Sequence, residues 1–173
     1  SLSDSAIYGF NSSMIQRAFF ITTVIGYTIF PYISKFWNTG EKDKVAQYLE
    51  RAFNIGFLFG MPIVLGIGVT LPTIVGILSG GNYDVRTTLV LILGFGMMFQ
   101  MMYIVVSYLI DLSRKTMWYN LIFLVTCGIN IGLNYLLIPS MGINGAAIAL
   151  FINYLVQFIF TLIVGSKTAG IKI

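Results

Sequence analysis

One arginine lies inside the apolar stretch "NSSMIQRAFFITTVIGY", Asn11 to Tyr27. A guanidinium stays charged, and holding one at mid-membrane depth costs several kcal/mol. On a helical wheel Tyr8, Ser12, Ser13, Gln16, Arg17, Thr23 and Tyr27 fall on one side. Ile7, Phe10, Met14, Ala18, Ile21, Ile25 and Ile29 fall on the other, with Asn11 and Thr22 near its edge. Arg17 is thus the charged member of a polar stripe. Such a stripe is tolerable against other helices or a water-filled cavity, where the charge stays hydrated.

Three further stripes follow at helical spacing. Gln100, Tyr103, Ser107 and Asp111 form one, Thr126, Asn130 and Asn134 a second, and Asn153, Gln157 and Thr161 a third. Amides spaced this way bond across neighbouring helices, or line a cavity and present donors to sugar hydroxyls. The chemistry on offer is recognition. No Ser/His/Asp, Cys/His or paired-carboxylate constellation exists, no phosphate-binding glycine loop reads convincingly, and the chain is expected not to be an enzyme. With no histidine and a single cysteine, Cys127, neither a metal centre nor an intramolecular disulfide is expected, and no cofactor. Nucleic acid is not an expected partner.

The elements that must hold these stripes follow from composition. Of 173 residues, 57% are hydrophobic and 9% charged, with a mean hydropathy of +0.88. A soluble domain carries about a quarter charged residues, so this chain reads as an integral membrane protein. Five long apolar runs each meet the roughly 20 residues that a spanning helix needs. They cover Ser5–Phe36, Ala52–Leu78, Thr87–Ile110, Met117–Ile138 and Ile143–Val164. The expected fold is all-α: a polytopic transmembrane helix bundle in one helical region over residues 1–173.

Charge orients it. Eight of the ten basic residues (Lys35, Lys42, Lys44, Arg51, Arg114, Lys115, Lys167 and Lys172) lie in linkers on one side, and Arg86 lies on the other. The positive-inside rule places the former side, with the C-terminus, in the cytoplasm and the N-terminus outside. "EKDKVAQYLERAF" reads as an amphipathic helix start running into the second span, either a solvated helix end or an element at the lipid surface. Asp111 is expected to pair with Arg114 three residues on. Small residues four apart (Gly56 and Gly60, Gly76 and Gly80, Gly128 and Gly132) permit close helix contact. Pro62 and Pro72 should bend the second span, as a hinge or as a static kink. The first residues show no starting Met and no signal peptide, and five is an odd number of spans; a longer parent chain is expected.

Two stretches carry a resemblance. Ile29–Asp84 contains a proline near the end of one span, a charged linker, "MPIVLGIGV" and "GGNY" before the next span. Ile129–Gln157 is an Asn-rich span ending in "LIPSMGINGAA" that turns straight into the next helix. Together they resemble the polysaccharide flippase family of the multidrug, oligosaccharidyl-lipid and polysaccharide export superfamily. The resemblance implies part of the second lobe of a two-lobe transporter, without the first lobe or the first helix of the second. It implies translocation of undecaprenyl-diphosphate-linked oligosaccharide by alternating access in a bacterial plasma membrane, for O-antigen or capsule synthesis. Membrane lipids and the polysaccharide polymerase machinery are the other implied partners. Within it Arg17 would meet the lipid diphosphate, and Gln16, Ser13 and Tyr27 would orient the arginine or touch sugar. Gln100, Asn130, Asn134, Asn153 and Gln157 would line the cavity. Alternatively Arg17 pairs with carbonyls or with an acid elsewhere in the parent chain. Three competing functions are a cation-coupled multidrug exporter, which would prefer cavity acids, a membrane glycosyltransferase or polymerase, which would need larger loops, and a non-transporting scaffold subunit.

Overall fold

Helical propensity and hydropathy act together here, because a bilayer leaves backbone groups no partner but their own helix. A computed structural model describes Gly9, Ser12, Ser13, Gln16 and Arg17, together with residues 27–78 and 86–171. Among the described residues the chain is all helix and turn, with no strand. Residues 27–38 form α1, and the five isolated residues before it are helical as well. Most of the expected first span lies outside the described residues. The helices that follow are α2 (Lys42–Leu78), α3 (Thr87–Leu112), α4 (Met117–Met141) and α5 (Ile143–Ala169). These four are long and apolar enough to cross a membrane.

The amphipathic linker and the second apolar run form one helix, α2, which continues through both Pro62 and Pro72. Each proline lacks an N–H, so the carbonyls of Leu58 and Gly68 lose their usual helical partner. The turn between α3 and α4 is closed by Arg114 N–H to the Asp111 carbonyl at 3.0 Å and Lys115 N–H to the Ile110 carbonyl at 3.3 Å. Arg114 takes a left-handed conformation there, φ 54°. Gly142 alone separates α4 from α5; its φ of 57° and ψ of −132° suit a residue without Cβ. Its N–H bonds the Ile138 carbonyl at 2.8 Å and so caps α4.

The lateral order is α2–α3–α5–α4, with α3 the most enclosed helix. Two glycines on α3 let its neighbours approach closely: Gly94 meets Val64 of α2, and Gly96 meets Phe151 and Tyr154 of α5. Gly56 and Gly60 of α2 sit against Met101, Met102 and Met98 in the same way. The expectation of close contact fails at Gly76, Gly128 and Gly132, where the space beside the backbone is open. The reason at Gly128 and Gly132 is that α4 packs through its other side, which carries Ile122 and Thr126.

Two core clusters stack along α3. One joins Val64 and Val75 of α2, Leu89 to Met102 of α3 and Ala147 of α5. The other joins Ile33 of α1, Val45 and Leu49 of α2, Val105 to Leu109 of α3, and Ala169 with Ile171. The second cluster brings the end of α1, the start of α2, and the ends of α3 and α5 to one end of the bundle. Lys35, Lys42, Lys44, Arg114, Lys115 and Lys167 all lie at this end, and Arg86 lies at the other. The basic end is tied together. Lys42 donates from Nζ to the Ala169 carbonyl at 2.8 Å, satisfying an orphan acceptor in the last turn of α5. The same ammonium lies 5.5 Å from the Trp37 ring centre.

Candidate functional site

The described polar residues ahead of α1, and Tyr27 at its start, face away from the rest of the described bundle. Ser13, Gln16 and Arg17 are exposed, Ser12 is half-buried, and Tyr27 is 70% exposed. The hydroxyls of Ser12 and Ser13 fold back onto the Gly9 carbonyl, so these serines satisfy themselves within their own helix. Tyr8, Asn11 and Thr23 lie outside the described residues. The described carboxylates are Glu41, Asp43, Glu50 and Asp111, all on segments toward the basic end.

Members of the other three stripes lie along two seams, α3–α5 and α4–α5. The Gln157 amide of α5 reaches the Tyr103 hydroxyl of α3. On α4, Asn134 donates to both the carbonyl and the side-chain oxygen of Asn130, at 2.8 and 2.9 Å. Asn130 donates in turn to the Ala149 carbonyl of α5, at a long 3.5 Å. Thr126 is buried and bonds back to the Ile122 carbonyl at 2.9 Å. Gln157 and Asn130 thus bond between helices, whereas Asn134 and Thr126 bond within α4. Gln100 is half-buried on the same stripe of α3. Asn153 differs: its side-chain oxygen is buried and has no partner, as is the case for Asn144 Oδ1 and Thr161 Oγ1. A buried orphan acceptor costs about 1–3 kcal/mol, so such atoms mark places where a further donor would be welcome.

Asp111 does not pair with Arg114. It lies exposed beside Tyr119, whose hydroxyl it reaches, and Tyr119 also donates to the Ser107 carbonyl at 2.5 Å. Arg114's left-handed backbone takes it out of the helical geometry that pairing three residues apart assumes. Tyr119 was not singled out from the sequence. Its signal is weak, an aromatic in the first turn of a span, where interfacial aromatics are common anyway.

No family model matches the chain, and no solved structure matches it. Over 137 residues, 79% of this chain, it is 27% identical to an uncharacterized membrane protein of Methanocaldococcus jannaschii. Over 130 residues, 75% of this chain, it is 24% identical to a probable low-salt glycan biosynthesis flippase of Haloferax volcanii. The matches span 27% and 28% of those relatives, so the chain covers about a quarter of the length of each. The relatives and the four long apolar helices agree on a multi-pass, membrane-embedded protein.

Proposed function

We propose that this chain is part of a flippase that carries a polyprenyl-diphosphate-linked oligosaccharide across the plasma membrane by alternating access. The observation that carries the reading is the exposure of Ser13, Gln16 and Arg17, helical residues ahead of α1. A charged helix face cannot rest against lipid, so it belongs to a hydrated cavity or to an anionic ligand. A guanidinium's fork of donors matches phosphate oxygens, and the amides and Tyr27 supply donors and acceptors for sugar hydroxyls. The likeness to a glycan biosynthesis flippase supports the same substrate class. In this reading the basic end faces the cytoplasm. Asn130 links α4 to α5, and Asn134 braces it from within α4. The carboxylate-poor polar face argues against a cation-coupled exporter.

The test uses the full-length protein in vesicles, with a labelled polyprenyl-diphosphate oligosaccharide as cargo. Wild type should translocate it, and Arg17→Ala should lose about tenfold or more while inserting normally. Arg17→Lys should fall between, because an ammonium keeps the charge and loses the bidentate fork. Equal transport by all three would demote Arg17 to structure, and no transport by wild type would sink the flippase reading.

A further inference from the structure

α2 carries a polar stripe of its own. At helical spacing Gln47, Arg51 and Asn54 fall within one narrow arc, and all three are exposed. The opposite side of the helix, with Val45, Leu49 and Ala52, is buried in the core at the basic end. Beside the stripe stand two tyrosines. Tyr48 of α2 lies nearly parallel to Tyr32 of α1, with ring centres 6.2 Å apart and planes 8° apart. Phe36 braces Tyr48 from α1 at 5.2 Å, and the Arg51 guanidinium lies 6.0 Å from the Tyr48 ring centre. Tyr48 is half-buried, whereas Tyr32 is 53% exposed. Through this ring pair the exposed sides of α1 and α2 join into one surface.

Depth decides what meets this surface. Lys42 marks the end of the bundle, since it bonds the last turn of α5. The 26 residues of α3 make a helix about 39 Å long, so about 5 Å protrudes at each end of a hydrocarbon core roughly 30 Å thick. Arg51 and Asn54 follow Lys42 on α2, and at helical rise their backbones lie about 9 and 13 Å inside the hydrocarbon boundary. An arginine at that depth reaches the interface by stretching its stem. The short Asn54 amide does not, and lipid offers it no partner. The surface therefore borders water or a polar ligand. Among the described residues Arg51 makes no ion pair; the pair nearby joins Glu41 to Lys44.

An exposed aromatic ring flanked by a guanidinium and two amides has the chemistry that recognises a sugar. A pyranose has an apolar C–H face, which rests on the electron-rich face of an aromatic ring, and an edge of hydroxyls, which takes donors and acceptors. A hydrocarbon tail would use the rings and leave the amides unsatisfied; a bare phosphate would use Arg51 and leave the rings idle. We infer that Tyr32, Tyr48, Arg51, Gln47 and Asn54 form a binding site for a pyranose ring of the cargo's oligosaccharide. Tyr32 stacks on the C–H face, held in place by Tyr48, and Arg51 with the two amides bonds the hydroxyls. The inference rests on the flippase reading and adds to it a sugar-reading surface near the basic end, leaving the diphosphate to Arg17.

The experiment measures binding rather than transport, with the full-length protein in nanodiscs. Two probes are compared: the labelled polyprenyl-diphosphate oligosaccharide and the same lipid diphosphate with its glycan removed. Wild type should bind the first about tenfold tighter than the second, as expected for one stacked ring and its hydrogen bonds. Tyr32→Ala should erase that ratio, and Tyr32→Phe, which keeps the aromatic face, should preserve it. Arg17→Ala should weaken both probes alike. A ratio of two ligands on one protein stays readable where a variant inserts poorly, because the loss falls on both arms. Equal binding of the two probes by wild type would overturn the inference and leave the flippase reading standing. So would an unchanged ratio in Tyr32→Ala; joined to a lowered unfolding temperature, that result would give the surface to another segment of a longer chain. Binding of neither probe would sink the flippase reading and the sugar site with it.

Discussion

Gly145 and Gly128 look alike in the sequence, yet the fold asks opposite things of them. A Cβ on Gly145 would run into the carbonyl of Leu137 one turn back across the α4–α5 connection, and backbone cannot give way. Gly145→Ala should therefore destabilise the hairpin by about 1–3 kcal/mol, read as a lowered unfolding temperature of the purified protein in detergent. Gly128→Ala, which meets nothing within 4 Å, should leave that temperature unchanged or raise it slightly. The reverse ranking would mean that the α4–α5 packing described above is wrong. Asp111 carries the same lesson. Its spacing to Arg114 suggested an ion pair, but one left-handed residue in the turn cancels the helical register and leaves the carboxylate to Tyr119.

The first turn of α2 is where charge, capping and tertiary contact coincide. Glu41 pairs with Lys44 and accepts a bond from the Thr39 hydroxyl at 3.0 Å. The Lys44 bond, followed by that of Thr39, holds the Glu41 carboxyl below its ordinary value of 4.5. A lowered pKa favours the folded carboxylate, so the contribution is fully present above that value and is lost as pH falls below it. The amide of Val45, bonded to the Glu41 carbonyl at 3.3 Å, reports the effect. Its exchange protection, corrected for intrinsic rates, should drop below pH 4.5 in wild type and stay flat in Glu41→Gln. The continuity of this turn with the apolar run was legible in the sequence, because charged and apolar residues alternate at helical spacing across Lys42–Phe53. The fate of the prolines was less so: a missing N–H says that a carbonyl is freed, and the packing around it decides whether the helix breaks.

The whole molecule has a polarity that cells can read. In a Cys127→Ser background, Lys115→Cys should react with an impermeant maleimide only from the cytoplasmic side, and Arg86→Cys only from outside. Swapped accessibility would invert the orientation. Hydropathy made the helices legible, but it could not order them side by side, because every apolar face is equally content against lipid and only shape and a few polar atoms choose neighbours. That order, α2–α3–α5–α4, seats α3 beside a helix two crossings later, running in the same direction. Biogenesis inherits the consequence. When the ribosome has delivered α3 and α4 to the translocon, the helix that covers Gly96 and Tyr103 has not yet been made. Adjacent segments cannot simply be released as a finished pair. α4 must stand aside while α5 slips in next to α3, and until then Tyr103 waits for Gln157.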